Sequence, residues 1–170
     1  MPLSMHQASA PIFIQMLSNM LGWLDKAEAH ATAKKFDPNN FVGMRLAVDM
    51  LPFSAQIGIA TDAVKGCLAR LAGVEAPKWA DDEKTLSDLR ARLRKAIDYA
   101  QSIKPGQLEG SETREVTLPR PSGPVKMSGE TFLKSVALPN FFFHATMTYA
   151  LLRQGGVDVG KGDFLGAPPR

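Results

Sequence analysis

The sequence has one cysteine, Cys67, and three scattered histidines, His6, His30 and His144. A lone thiol excludes an intramolecular disulfide and suits a reducing compartment. No two histidines stand three or four residues apart, so a strong histidine metal motif is absent. No stretch approaches the ~20 apolar residues of a membrane span. The opening Met1-Pro2-Leu3-Ser4-Met5-His6 lacks the basic-then-apolar order of a secretory leader. From these absences a cytoplasmic protein without a membrane partner is expected. A charge excess is missing too: 20 basic against 17 acidic residues leave +3, with no concentrated basic recognition helix, so nucleic acid is not an expected partner.

What is present is the composition of a globular chain, 45% hydrophobic and 22% charged over 170 residues. A chain of that size buries roughly 70% of its unfolded surface, and residues 1–170 are expected to form one domain. The first helix starts near Ser9 with Pro11 in its first turn. Phe13, Met16, Met20, Leu24, Ala27 and Ala31 form its stripe, which fades at Lys34-Lys35, where positive charge suits the helix dipole. Asp37-Pro38-Asn39-Asn40 is a turn, and residues 41–52 are ambiguous. Pro52 fixes the start of a second helix with Phe53, Ile57, Ala60, Val64, Cys67, Leu68 and Leu71 on one face, ended by Gly73.

The acidic Asp81-Asp82-Glu83 open a third helix striped by Leu86, Leu89, Leu93, Ile97 and Ala100 and ended at Pro105-Gly106. Residues 108–128 form a long connection, in which 114–118 and 125–127 suggest a loose hairpin. Residues 129–136 are a helical lead-in, Pro139 demands a break or kink, and the last main helix spans 140–154 before Gly155-Gly156. The tail from 157 is expected to be ordered, because Phe164 and Leu165 want cover. Four amphipathic helices bury their faces together, which predicts an all-α four-helix bundle. Leu86, Leu89, Leu93 and Ile97 would meet Phe13, Met20, Leu24, Val64 and Leu71 in one core.

Three features imitate functional sites. Residues 155–162, Gly-Gly-Val-Asp-Val-Gly-Lys-Gly, mimic a phosphate-binding loop, but Gly162 replaces the required Ser or Thr and neither a strand before nor a helix after is expected. Arg90, Arg92, Arg94 and Lys95 spread around the polar arc of the third helix as a solvated face. Cys67 shares its arc with Val64, Leu68 and Leu71 and reads as a buried, inert thiol.

His144 is the leading candidate for function. Helical phase puts it in the middle of the last helix's apolar face with Thr148 and Leu151, where an imidazole is either a satisfied core group or a ligand and acid/base group. Gln56 lies at the rim of the second helix's apolar arc, beside Ala60 and Cys67. Asp49 falls on the same side if residues 49–53 continue that helix. His30 flanks the first helix's stripe near Trp23, and Asp62 points away from the core toward a surface or loop-pairing role. Phe142 and Tyr149 project to the side of the last helix away from His144 and need cover from either the tail's Phe164 and Leu165 or a second subunit; a homodimer through helix faces is expected.

Several of these segments occur together in one bacterial family of unknown function. Asp25-Lys26-Ala27 with His30, Arg45-Leu46 with Asp49-Met50, and Pro52-Phe53 resemble it. So do Leu138-Pro139-Asn140-Phe141 with Phe143-His144, Tyr149, and Gly160-Lys161 with Asp163-Phe164-Leu165-Gly166. The resemblance spans nearly the whole chain. The family is grouped with the DinB/YfiT-like four-helix bundles, which implies that fold, with the long connection before the last helix and an ordered tail. Members of the wider superfamily often carry a three-histidine metal site, one ligand on the second helix and a His-x-x-x-His pair on the fourth; they include thiol-dependent transferases and isomerases, and are often dimers. Here His144 stands for one fourth-helix ligand, its pair is missing, and the second helix offers Gln56 or Asp49. The expected function is a dimeric small-ligand-binding or structural bundle without a cofactor. The alternative is a divalent-metal enzyme of thiol transferase or hydrolase type, holding zinc or nickel with His144 and Gln56, Asp49 or His30.

Overall fold

Pro11 occupies the first turn of helix α1 (Ala10–Lys34), where its missing N–H costs nothing. The computed structural model describes residues 3–119 and 121–166. All six residues of the predicted α1 stripe are buried. Lys35 closes the helix in the left-handed region at φ 60°. Asp37 then caps a 3-10 turn, Pro38–Phe41, by accepting the Asn39 N–H at 2.9 Å. Helix α2 (Phe53–Ala72) starts directly after Pro52 and stops at Gly73, whose φ of +70° needs no Cβ to be accommodated.

Helix α3 (Leu86–Ser102) begins later than the acidic run suggested. Its N-terminus is a capping box: Thr85 Oγ1 accepts the Asp88 N–H at 3.1 Å and the Asp88 carboxylate accepts the Thr85 N–H at 2.9 Å. Asp81, Asp82 and Glu83 therefore lie in the preceding loop. The expected hairpin is present as strands β1 (Glu115–Leu118) and β2 (Val125–Ser128), antiparallel with Glu115 opposite Ser128 and Leu118 opposite Val125.

Ser128 caps a short helix, α4 (Gly129–Phe132), which runs through a π-helical segment, Leu133–Ala137, into α5 (Leu138–Gln154). The kink expected at Pro139 takes this form. A proline inside a helix lacks an N–H and crowds the carbonyl four residues back. The wide turn answers both, with the Leu138 N–H reaching the Leu133 carbonyl five residues back. A last helix, α6 (Lys161–Leu165), contradicts the expectation that no helix follows the Gly-rich stretch.

Around the bundle the long helices follow one another as α1, α3, α2, α5, each packed on its neighbours and α5 closing on α1. One core holds Phe13, Met20, Leu24, Val64, Leu71, Leu86, Leu89 and Leu93, with Ile97 half-buried at its edge. Phe13 meets Phe141 edge-on, ring centres 4.9 Å apart. The tail lies over α1. Phe164 stacks on Trp23 at 5.6 Å, and the Trp23 indole N–H donates to the Asp163 carbonyl at 3.0 Å. Asn19 donates to the Phe164 carbonyl at 2.8 Å. Leu165, expected to be covered, is exposed. Among the described residues no helix is long and apolar enough to cross a membrane.

Candidate functional site

His144 is one of few polar side chains inside the bundle, and its phase on α5 carries it toward α2. It is 8% exposed and Gln56 only 2%. The two meet at 2.7 Å, His144 Nδ1 to Gln56 Oε1, and the Gln56 amide nitrogen donates to the Leu51 carbonyl at 3.0 Å. This chain of contacts fixes the proton. A backbone carbonyl only accepts, so the amide nitrogen must face Leu51 and the amide oxygen must face the imidazole. Nδ1 therefore carries the hydrogen and donates, and Nε2 holds the lone pair. Among the described residues Nε2 has no hydrogen-bond partner, and the residue as a whole keeps a small exposed surface. The Phe143 ring stands edge-on beside His144, centres 5.2 Å apart, and is 54% exposed. Thr148 spends its hydroxyl on the His144 carbonyl at 2.9 Å.

Burial pushes the His144 imidazole below the ordinary histidine range. The unfolded chain then takes up this proton first, so His144 supports the fold fully above about pH 6.5 and less as pH falls toward its lowered folded value. Urea unfolding at about pH 7.5 and about pH 5.5 should show a larger loss of stability on acidification in the wild type than in His144→Gln. Equal losses would mean the imidazole is open to water when neutral and charged alike.

Of the four predicted site residues, only His144 and Gln56 are joined by a hydrogen bond. Asp49 is exposed in the loop between the 3-10 turn and α2. It misses the site because Pro52, extended at ψ 165°, starts the helix afresh at Phe53 and residues 49–52 do not continue it backward. His30 is half-buried, with its ring edge-on to Phe36 at 5.9 Å and lying against Gly156. Tyr149, one of the two aromatics that suggested a dimer, is covered by the tail: its ring packs on Trp23 and Phe164 and its hydroxyl donates to the Val159 carbonyl at 3.3 Å. Phe142 rests edge-on against Phe141.

Sequence reasoning also misplaced Arg92, which is buried. Its guanidinium makes five bonds: Thr61 at 3.0 Å, the Ala80 carbonyl at 2.6 Å, Glu83 at 2.8 Å, and Asp62 and Asp81 each at 2.9 Å. Trp79 lies over it, 5.2 Å from ring centre to guanidinium carbon. Burial opposes the charge, but Asp62, Asp81 and Glu83 more than offset this and hold Arg92 above the ordinary guanidinium range. Arg90 is partly buried and bridges α3 to Asp25 and Glu28 of α1. Arg94 and Lys95 do face solvent. The signal for Arg92 was in the spacing, since it falls between Leu89 and Ala96 on the buried side of α3.

Two decoys resolve in structural terms. Cys67 is buried, and burial pushes its thiol up to about 12 with Arg70 opposing, so it is no nucleophile at neutral pH. The Gly160 N–H that opens α6 donates to Asp163 at 2.8 Å, and the same carboxylate pairs with Lys26 at 2.7 Å. The chain's own anion thus occupies the place a phosphate would take.

A family model described as a domain of unknown function, DUF1993, matches residues 5–165. The chain belongs to this DUF1993 family. Among solved structures, the crystal structure of a DinB family member protein from Shewanella denitrificans is 37% identical with a TM-score of 0.91, over 97% of this chain and 93% of that one. No curated protein matches. The DUF1993 fold is thus a DinB-like bundle, and the three-histidine site that such a resemblance implies can be tested against this donor set. The α2 position offers Gln56, whose carbonyl oxygen is taken by His144 itself. On α5 the residues four away from His144 are Asn140 and Thr148. Among the described residues, no three His, Cys, Asp or Glu side chains come together as a metal site would require. The DUF1993 donors found here do not fit that site.

Proposed function

We propose that the protein is a dimeric small-ligand-binding bundle in which His144 Nε2 accepts a hydrogen bond from the ligand. The observation that carries this reading is the fixed tautomer: Gln56 commits Nδ1 as donor and leaves an acceptor nitrogen without a partner among the described residues. A neutral imidazole with an oriented lone pair suits a neutral molecule with one N–H or O–H donor and an apolar body. Phe143 and Leu51 beside the pair, each about half exposed, supply apolar cover. Leu46 and Val48, on the same loop as Leu51, add further exposed apolar surface, which supports a second copy packing there.

The test uses protein labelled with nitrogen-15 at histidine, with phenol, indole and benzyl alcohol as probes. The free protein should show His144 protonated at Nδ1 only. A saturable shift of its Nε2 resonance is the expected result, with calorimetric binding of the same probe lost in His144→Phe. No saturable shift from any probe would overturn the reading, and a one-to-one, His144-dependent zinc or nickel site would replace it with the metal one. Sedimentation should give a dimer that Val48→Asp weakens; a monomer across micromolar concentrations would remove the second copy.

A further inference from the structure

At the end of the bundle where α1 begins lies a cavity of about 830 Å3, within the range of roughly 300–1,000 Å3 typical of small-molecule sites. Neither His144 nor Gln56 lines it. Its walls come from three separate segments: residues 3–12, the connection 105–112, and the stretch from α4 into α5. These walls are pinned to the body of the bundle. The Glu130 N–H donates to the Glu112 carbonyl at 3.0 Å and the Gly129 N–H to the Arg114 carbonyl at 2.8 Å. A Cβ at Gly129 would collide with the Ser111 carbonyl oxygen, so the connection lies directly against the start of α4. On the opposite side His6 Nε2 donates to the Ile103 carbonyl at 3.3 Å, tying the first segment to the end of α3. The cavity is therefore held open by the fold itself.

Its floor is apolar, built on Leu108 and Leu133, each 1% exposed, with Met5, Ile12 and Leu138 around them. Its charged groups are Glu109, Glu112, Glu130 and Lys134. Lys134 is paired with Glu130 at 2.9 Å, while Glu109 and Glu112 form no ion pair among the described residues. Among the described residues, three carboxylates against one ammonium leave two negative charges around this cavity, on a chain whose net charge is +3. An apolar floor under an unneutralised acidic mouth favours one kind of occupant.

We propose that this cavity binds an amphipathic organic cation, with a hydrocarbon body on the leucine floor and a protonated amine facing Glu109 and Glu112. The site is independent of His144, and either reading can fail without the other. Three probes with one chain length separate the contributions: octylamine, octanol and octanoate, titrated calorimetrically into the intact protein. Octylammonium should bind one-to-one and about fivefold more tightly than octanol, a preference typical of partly exposed ion pairs, with octanoate weakest. The joint replacement Glu109→Gln and Glu112→Gln should erase that preference while leaving octanol binding and thermal stability unchanged. Ala8→Phe, which fills the cavity from α1's side, should weaken all three, and His144→Phe should weaken none. Octanoate binding as tightly as octylammonium, a preference that survives the double replacement, or no saturable binding of octylammonium would overturn the proposal.

Discussion

Phe13→Ala is expected to lower the unfolding free energy by about 3–5 kcal/mol, the range for deleting a fully buried aromatic ring. Phe13 has no exposed surface, and its ring packs edge-on against Phe141 across the contact between α1 and α5. The substitution removes both the transfer energy of the ring and the edge-to-face contact. Rigid neighbours on two helices limit how far the gap can close. Denaturant unfolding followed by far-ultraviolet circular dichroism checks it. A loss below about 1 kcal/mol would mean that α1 and α5 move together easily to fill the space.

The second large effect belongs to Arg92. Its five N–H donors are all used, and they hold α3 to α2 through Thr61 and Asp62 and to the preceding loop through Ala80, Asp81 and Glu83. Breaking a buried ion pair costs about 3–5 kcal/mol. Asp62 and Asp81 keep contact with water, so the loss for Arg92→Ala should fall near the lower end, about 3 kcal/mol. Arg92→Lys should recover little, because an ammonium cannot reproduce the planar fork. Chemical denaturation of both variants decides the matter. A lysine variant as stable as the wild type would show that charge alone, not geometry, holds the loop.

Much of the fold was legible because hydrophobic spacing is a strong local signal: every predicted stripe residue of α1 and α2 is buried. The inward turn of His144 and the rim position of Gln56 were legible for the same reason. The start of α3 was misread because Asp81-Asp82-Glu83 imitate an acidic first turn, although Thr85 and Asp88 already had the spacing of a capping box. Their true role, holding Arg92, depends on a contact that no local pattern encodes. Asp49 was drawn toward the site by assuming that helical phase runs back through Pro52, which a proline start forbids. That Tyr149 is covered by Phe164 could not be decided from α5, because its cover comes from a segment folding back over α1.

That docking of residues 158–166 onto α1 also sets an order of events during synthesis. Trp23 and Asn19 find their partners 140 and 145 residues downstream. At roughly 5–20 residues per second, a ribosome needs about 7–28 s to make the intervening chain. Throughout that interval the indole N–H lacks its Asp163 partner and the ring lacks the stacked Phe164. The contact between α1 and the tail is therefore among the last to form. Of the helices described, α1 is made first and finished among the last, and a growing chain that lingers before residue 158 exposes the flank best suited to a wrong partner.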